Sequence, residues 1–143
     1  MIRAISYTCE NKKIFIMGND LEIFNRCYYA YLLFSNKKEL LPNCDFKNYK
    51  TWEDFTKLSR SNKENSTIVK IVEKYNKNIP DVLKNLKNYL TTEELCDVIL
   101  CSAHKSKGLQ WKQVKIGSDF NFKTEEEQNL LYVACTRATH TLD

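Results

Sequence analysis

The hydrophobic period of the chain changes once, after Thr91-Thr92-Glu93-Glu94, and that change limits the folds open to it. Before it, apolar residues recur mostly at helical spacing. Leu21, Phe24, Tyr28, Tyr31 and Leu32 predict an amphipathic helix over residues 21–34. Trp52, Phe55 and Leu58 predict a short helix opening at Thr51, and Ile68, Ile71, Val72 and Tyr75 one ending near residues 76–78. Pro80 suits a first helical turn, with Val82, Leu83, Leu86 and Leu90 on that helix's apolar face. One strand interrupts the pattern, residues 13–17, followed by Gly18-Asn19-Asp20, where Asn19 or Asp20 can cap the next helix. Residues 35–50, polar and containing Pro42, read as an irregular connection.

After the change, residues 98–101 form a continuous apolar run of strand length and residues 114–116 a second short strand. Residues 125–138 read as a helix and residues 139–143 as a final strand. Strand, loop, strand, helix, strand predicts an α/β arrangement of parallel strands buried on both faces. No internal repeat is present, and the high Asn and Lys content is compositional, since apolar residues stay periodic throughout.

Composition adds bounds. A chain of 143 residues, 43% apolar, can bury roughly 68–70% of its unfolded surface, which predicts one compact domain and is too short for a two-domain motor. The formal charge of +4 permits contact with nucleic acid without requiring it. Six cysteines without a CxxC pair, beside two histidines, lack zinc-ligand spacing, so no metal site is expected. The polar N-terminus lacks an export signal, which predicts reduced thiols and an intracellular protein. No stretch approaches the roughly 18 apolar residues of a membrane helix, so no membrane partner is expected.

Two segments carry chemistry. In Cys101-Ser-Ala-His-Lys-Ser-Lys-Gly-Leu-Gln-Trp111 a strand feeds a loop holding hydroxyl, imidazole and two ammonium groups, each suited to an anion. Gly108 there either lets backbone approach a ligand or serves a turn with positive φ. In Glu125-Glu-Glu-Gln-Asn-Leu-Leu-Tyr-Val-Ala-Cys-Thr-Arg-Ala138 an acidic helix start leads to Leu130, Val133 and Ala134, a face that Arg137 continues. Arg137 reads either as an arginine held for a phosphate or as one snorkelling or paired with a carboxylate such as Asp119.

Residues 102–111 resemble motif V of the UvrD/Rep-type superfamily 1 DNA helicases, Thr-x-His-x-x-Lys-Gly-Leu-Glu-aromatic. Glu126-Glu-x-x-Leu130-Leu-Tyr-Val-Ala-x-Thr-Arg-Ala138 resembles their motif VI. Ile71-Val-Glu-Lys-Tyr75 with Ile79-Pro80, Asp119-Phe120 and Asn129-Leu-Leu-Tyr-Val-Ala134 look closest to the F-box DNA helicase branch.

The resemblance implies a single RecA-like, P-loop-NTPase-like α/β domain with a parallel sheet flanked by helices. It would span residues 1–143, incomplete at its N-terminal end, with a helical insertion over 51–90. It implies the second motor domain of an ATP-dependent DNA helicase acting in repair or recombination, nuclear in a eukaryotic host and cytoplasmic otherwise. Arg137 matches the arginine finger that reaches the γ-phosphate. Gly108 and Gln110 match positions near the nucleotide, Gln110 standing where the family has glutamate. Ser102 and His104 match positions facing the single-strand backbone, Lys105 adds a phosphate contact, and Lys107 lies near the cleft. No Gly-x-x-x-x-Gly-Lys-Ser/Thr loop or magnesium-holding Asp-Glu pair occurs. ATP and Mg2+ are therefore expected only with a first RecA-like domain, in trans or missing upstream, and none on this chain alone. The other readings are a non-catalytic single-stranded DNA or protein-binding remnant, and a decayed reading frame.

Overall fold

A computed structural model describes residues 2–18, 21–118, 120 and 123–143, of residue 2 the backbone alone. The expected cap at Asn19 or Asp20 and the carboxylate of Asp119 lie outside the described residues. The chain divides into two compact units, one of residues 1–15 and 20–98 and the other of residues 16–19 and 99–143.

The first unit is helical. Helix α1 (Ile2–Cys9) buries Ala4, Ile5 and Thr8, and the Thr8 hydroxyl donates to the Ile5 carbonyl at 2.8 Å. The polar texture of this segment conceals a helix whose buried positions fall one turn apart. Helix α2 (Glu22–Phe34) forms where expected and buries Phe24, Cys27, Ala30, Leu32 and Leu33, while Leu21 and Tyr28 of the expected apolar face are exposed. Residues 35–50 contain two 3-10 turns, Lys38–Leu40 and Asp45–Asn48, the second burying Phe46. Helix α3 (Trp52–Ser59) starts in a capping box, the Asp54 amide donating to Thr51 Oγ1 and the Thr51 amide to Asp54 Oδ2, both at 3.2 Å. Its inward residues are Phe55 and Ser59, while Leu58 faces out. Helix α4 (Lys63–Tyr75) is capped by Asn62, and α5 (Ile79–Tyr89) carries Pro80 in its first turn.

Helix α2 packs on α3, α4 and α5, α3 on α4, and α1 on α5. Phe24, Phe46, Phe55, Ile68, Ile71, Ile79 and Leu86 form the centre, where the Phe46 and Phe55 rings lie 5.1 Å apart. Arg26 ties three of these pieces together. Its Nη2 donates to Asn65 Oδ1 at 2.8 Å, its Nη1 reaches Asp45 at 3.4 Å, and the guanidinium covers the Phe46 ring. Arg26 Nε lies 2.9 Å from Glu64 Oε1 but off the hydrogen-bonding direction, so that contact is coulombic.

Helices α1 and α2 end alike. Asn11 (φ 57°) and Asn36 (φ 56°) adopt the left-handed conformation, and the amides of Lys12 and Lys37 reach back to the carbonyls of Tyr7 (3.1 Å) and Leu32 (2.8 Å). Each is a Schellman closure built on asparagine in place of glycine.

Strands β1 (Ile14–Ile16) and β2 (Val98–Leu100) pair, and the unit boundary runs through both. In the first unit the Lys13 carbonyl accepts from the Asp97 and Val98 amides, and Ile14 makes a parallel bridge to Leu90. In the second unit the Met17 amide donates to the Leu100 carbonyl at 2.9 Å. That unit also holds β3 (Trp111–Val114), α6 (Glu125–Cys135) and β4 (Ala138–Leu142). β3 and β4 run parallel, pairing Trp111 with Ala138, Gln113 with Thr141 and Val114 with Leu142, with an irregularity between Trp111 and Gln113.

The chain is thus mixed α/β with small parallel sheets, as the sequence predicts in outline, but three expectations change. Among the described residues the strands form two pairs, not one continuous sheet. They are also not buried on both faces: β2 is half-buried throughout and β4 is exposed from Thr139 onward. Parallel strands are covered when helices lie on both faces, and among the described residues of the second unit α6 is the one helix, packing on β4. Finally, β3 begins at Trp111, three residues before the strand expected at 114–116, because the Trp111 amide already bonds the Arg137 carbonyl at 2.9 Å.

Candidate functional site

The site residues expected from sequence all lie in the second unit. Residues 102–109 form consecutive turns. The Ser106 amide donates to the carbonyls of Ser102 (3.1 Å) and Ala103 (3.3 Å), the Lys107 amide to His104, and the Leu109 amide to Ser106 (3.0 Å). The Ser102 hydroxyl opens the series by accepting from the Lys105 amide at 3.4 Å. These local bonds turn the side chains of Ser102, His104, Lys105 and Lys107 to solvent.

Ser106 is the exception. It is 3% exposed, and its hydroxyl donates to the Ala103 carbonyl at 2.7 Å, so it holds the loop from within. It is not among the residues expected from sequence, although a serine four residues after Ser102 in a strand-to-turn segment signals such a bond. Gly108 has φ +84°, and a Cβ built there would meet nothing within 4 Å. The glycine therefore answers a backbone demand of the turn. Gly18 (φ +87°) differs, because a Cβ there would overlap the outer atoms of the Lys105 side chain.

Helix α6 is started by Thr124, whose hydroxyl accepts from the Glu127 amide at 3.3 Å, with Glu125, Glu126 and Glu127 at the positive end of the helix dipole. The helix stops at Cys135, short of the expected Ala138, which begins β4. Side chains fill the carbonyls of its last turn: Thr136 Oγ1 donates to Val133 at 2.9 Å, and Arg137 Nε to the same carbonyl at 2.8 Å. Arg137 therefore lies just beyond the helix.

The remaining Arg137 donors point two ways. Nη2 reaches Thr136 Oγ1 at 2.9 Å, and Nη1 reaches the Leu109 carbonyl at 3.2 Å. The guanidinium thus joins the end of α6 to the Gly108-Leu109-Gln110 stretch, drawing together three residues that the sequence singles out. All its partners are neutral, and among the described residues no carboxylate lies within ion-pair distance. Among the described residues its charge is held in place by neutral acceptors and is not cancelled, which suits an anionic ligand. No such bond ties His104, Lys107 or Gln110 to Arg137 among the described residues. Among the described residues no three His, Cys, Asp or Glu side chains gather into a set that could hold a metal, and no described helix is long and apolar enough to cross a membrane.

Residues 97–142, which contain every one of these positions, match the family described as UvrD-like helicase C-terminal domain. The chain is also similar to curated F-box DNA helicases. The chain is 30% identical over 99 residues to F-box DNA helicase 1 of Gallus gallus, covering 56% of this chain and 10% of that protein. It is 42% identical over 59 residues to F-box DNA helicase protein 1 of Schizosaccharomyces pombe, covering 32% of this chain and 7% of that protein. The chain therefore spans a tenth or less of these relatives. No solved structure matches it significantly.

Proposed function

We propose that the chain is the second RecA-like motor domain, or a fragment of it, of an ATP-dependent DNA helicase. In this reading the helices over residues 51–90 are an insertion within the RecA-like domain. The observation that carries the reading is the Arg137 guanidinium, anchored at 3.2 Å on the Leu109 carbonyl between the two segments that resemble motifs V and VI. The UvrD-like match over the same residues supports it.

ATP with Mg2+ supplies the γ-phosphate when a first RecA-like domain contributes the phosphate loop. Arg137 then acts as the arginine finger, placing positive charge where negative charge develops. Its uncancelled charge fits that role, and leaving neutral carbonyl acceptors for a phosphate exchanges weaker hydrogen bonds for charge-assisted ones. Gly108 and Gln110 lie beside the nucleotide, where the Gln110 amide can bond a ribose hydroxyl but contributes no charge. Lys107 faces the cleft. Ser102, His104 and Lys105, turned to solvent on one loop, meet the single-strand phosphates. Repair or recombination DNA in the nucleus of a eukaryotic host is the corresponding setting.

The test is DNA-stimulated ATP hydrolysis by the chain mixed with a first RecA-like helicase domain. Turnover is expected only in the mixture, and Arg137→Ala should reduce it about a thousandfold or more. Unchanged turnover in that variant would remove Arg137 from the cleft. A second reading, a non-catalytic single-stranded DNA or protein-binding remnant, rests on the solvent-facing Ser102, His104 and Lys105. It is favoured if no first domain restores turnover while His104→Ala still weakens salt-dependent DNA binding.

A further inference from the structure

Within the first unit, α2 and α5 leave between them an open cleft of about 380 Å³. That volume lies in the roughly 300–1,000 Å³ range of ligand-sized sites. Its floor is Phe24 and Leu83, both buried, and Pro80 lines it from the start of α5. Tyr28 stands at its side and is 39% exposed, with the Tyr31 ring 6.3 Å away at 34°. Tyr28 thus presents an aromatic ring to the cleft, with the half-buried Tyr31 beside it on α2.

The rim is cationic. Lys84 and Lys87, one turn apart on α5, are exposed, and among the described residues neither forms an ion pair. Asn25 and Asn88 bring amides that donate and accept. No carboxylate is among the described lining residues, and the exposed Asp81 of α5 is not one of them. An aromatic platform flanked by cations and amides is complementary to a stacked base with its phosphates.

We propose that this cleft binds single-stranded nucleic acid, one base stacking on Tyr28 while Lys84 and Lys87 meet adjacent phosphates. The inference does not depend on the roles of Arg137 or His104, which belong to the other unit.

The test is anisotropy of a fluorescent oligothymidylate titrated with the full chain across a salt series, together with photo-crosslinking of an iodouridine-substituted oligonucleotide. The Lys84→Gln/Lys87→Gln variant is expected to lower the slope of log affinity against log salt by roughly 1.4, about 0.7 for each phosphate no longer neutralised. Tyr28→Leu should weaken binding roughly fivefold or more, and the crosslink should map to Tyr28. These side chains lie at the surface, so an unchanged circular dichroism melt is expected in both variants. Wild-type affinity and slope in the lysine variant, with no crosslink at Tyr28, overturn the proposal. If His104→Ala alone abolishes binding, the loop reading stands and the cleft falls; if no variant has an effect, both fall. Equal competition by a polyglutamate peptide would overturn the assignment to nucleic acid.

Discussion

Arg137 Nη1 and the Leu109 carbonyl, 28 residues apart in sequence, meet at 3.2 Å. The bond joins the loop after β2 to the end of α6 through a side chain that also fills the Val133 carbonyl. Arg137→Ala removes both connections and is expected to cost about 1–2 kcal/mol, since the side chain is only half-buried. Amide exchange at Leu109, whose amide is bonded to the Ser106 carbonyl, should then quicken by roughly tenfold, as local opening becomes easier. Lysine should not restore protection, because a single ammonium lacks the fork that spans two carbonyls. Wild-type exchange in Arg137→Ala would mean the contact does not hold the loop.

Ser106→Ala deletes a buried donor and leaves the Ala103 carbonyl without its 2.7 Å partner. A loss of about 1 kcal/mol is expected in thermal or urea unfolding. The exposed Ser102→Ala should cost less, because water replaces the 3.4 Å bond from the Lys105 amide.

Gly18→Ala and Gly108→Ala separate two causes of strain. Both place a side chain at positive φ, at a cost of about 1 kcal/mol. Only Gly18→Ala also displaces the end of the Lys105 side chain. Combined with Lys105→Ala, the Gly18 substitution should therefore lose any excess over Gly108→Ala, which a double-mutant cycle measures directly.

Burial pushes the Cys27 thiol up to about 12 from an ordinary 9.0. The folded state thus favours the neutral thiol, while the unfolded chain ionises first. Its contribution to stability is complete below pH 9 and is lost as the pH rises towards 12. Urea midpoints measured from about pH 8 to about pH 11 should fall more steeply in the wild type than in Cys27→Ala. Alkylation under native conditions should modify the exposed Cys9 and Cys101 and spare Cys27.

The sequence discloses what burial makes periodic. Phe24, Ile68, Ile71, Val72, Leu83 and Leu86 repeat at helical spacing and do form the inner faces of α2, α4 and α5. α1 is hidden because its buried positions, Ala4, Ile5 and Thr8, include a hydroxyl satisfied only by the helix's own carbonyl. The offset of β3 has a similar origin, since Lys112 and Gln113 are exposed and leave no apolar mark. At the site, residue types and spacing locate the loop and Arg137. The partners of Arg137 are the carbonyls of Val133 and Leu109, groups every residue carries and no sequence can single out.

Asparagine at residues 11, 36 and 76 has a consequence for the chain before it folds. With only 3 glycines in 143 residues, the positive-φ conformation after α1, α2 and α4 falls to residues that keep a Cβ. A glycine at each place would adopt the conformation more easily but would also widen the range of backbone states in the denatured chain. Asparagine reverses that balance. It gives up some ease in the native turn and narrows the ensemble from which folding starts, so part of the stability of these three helix ends resides in the disorder the unfolded chain lacks.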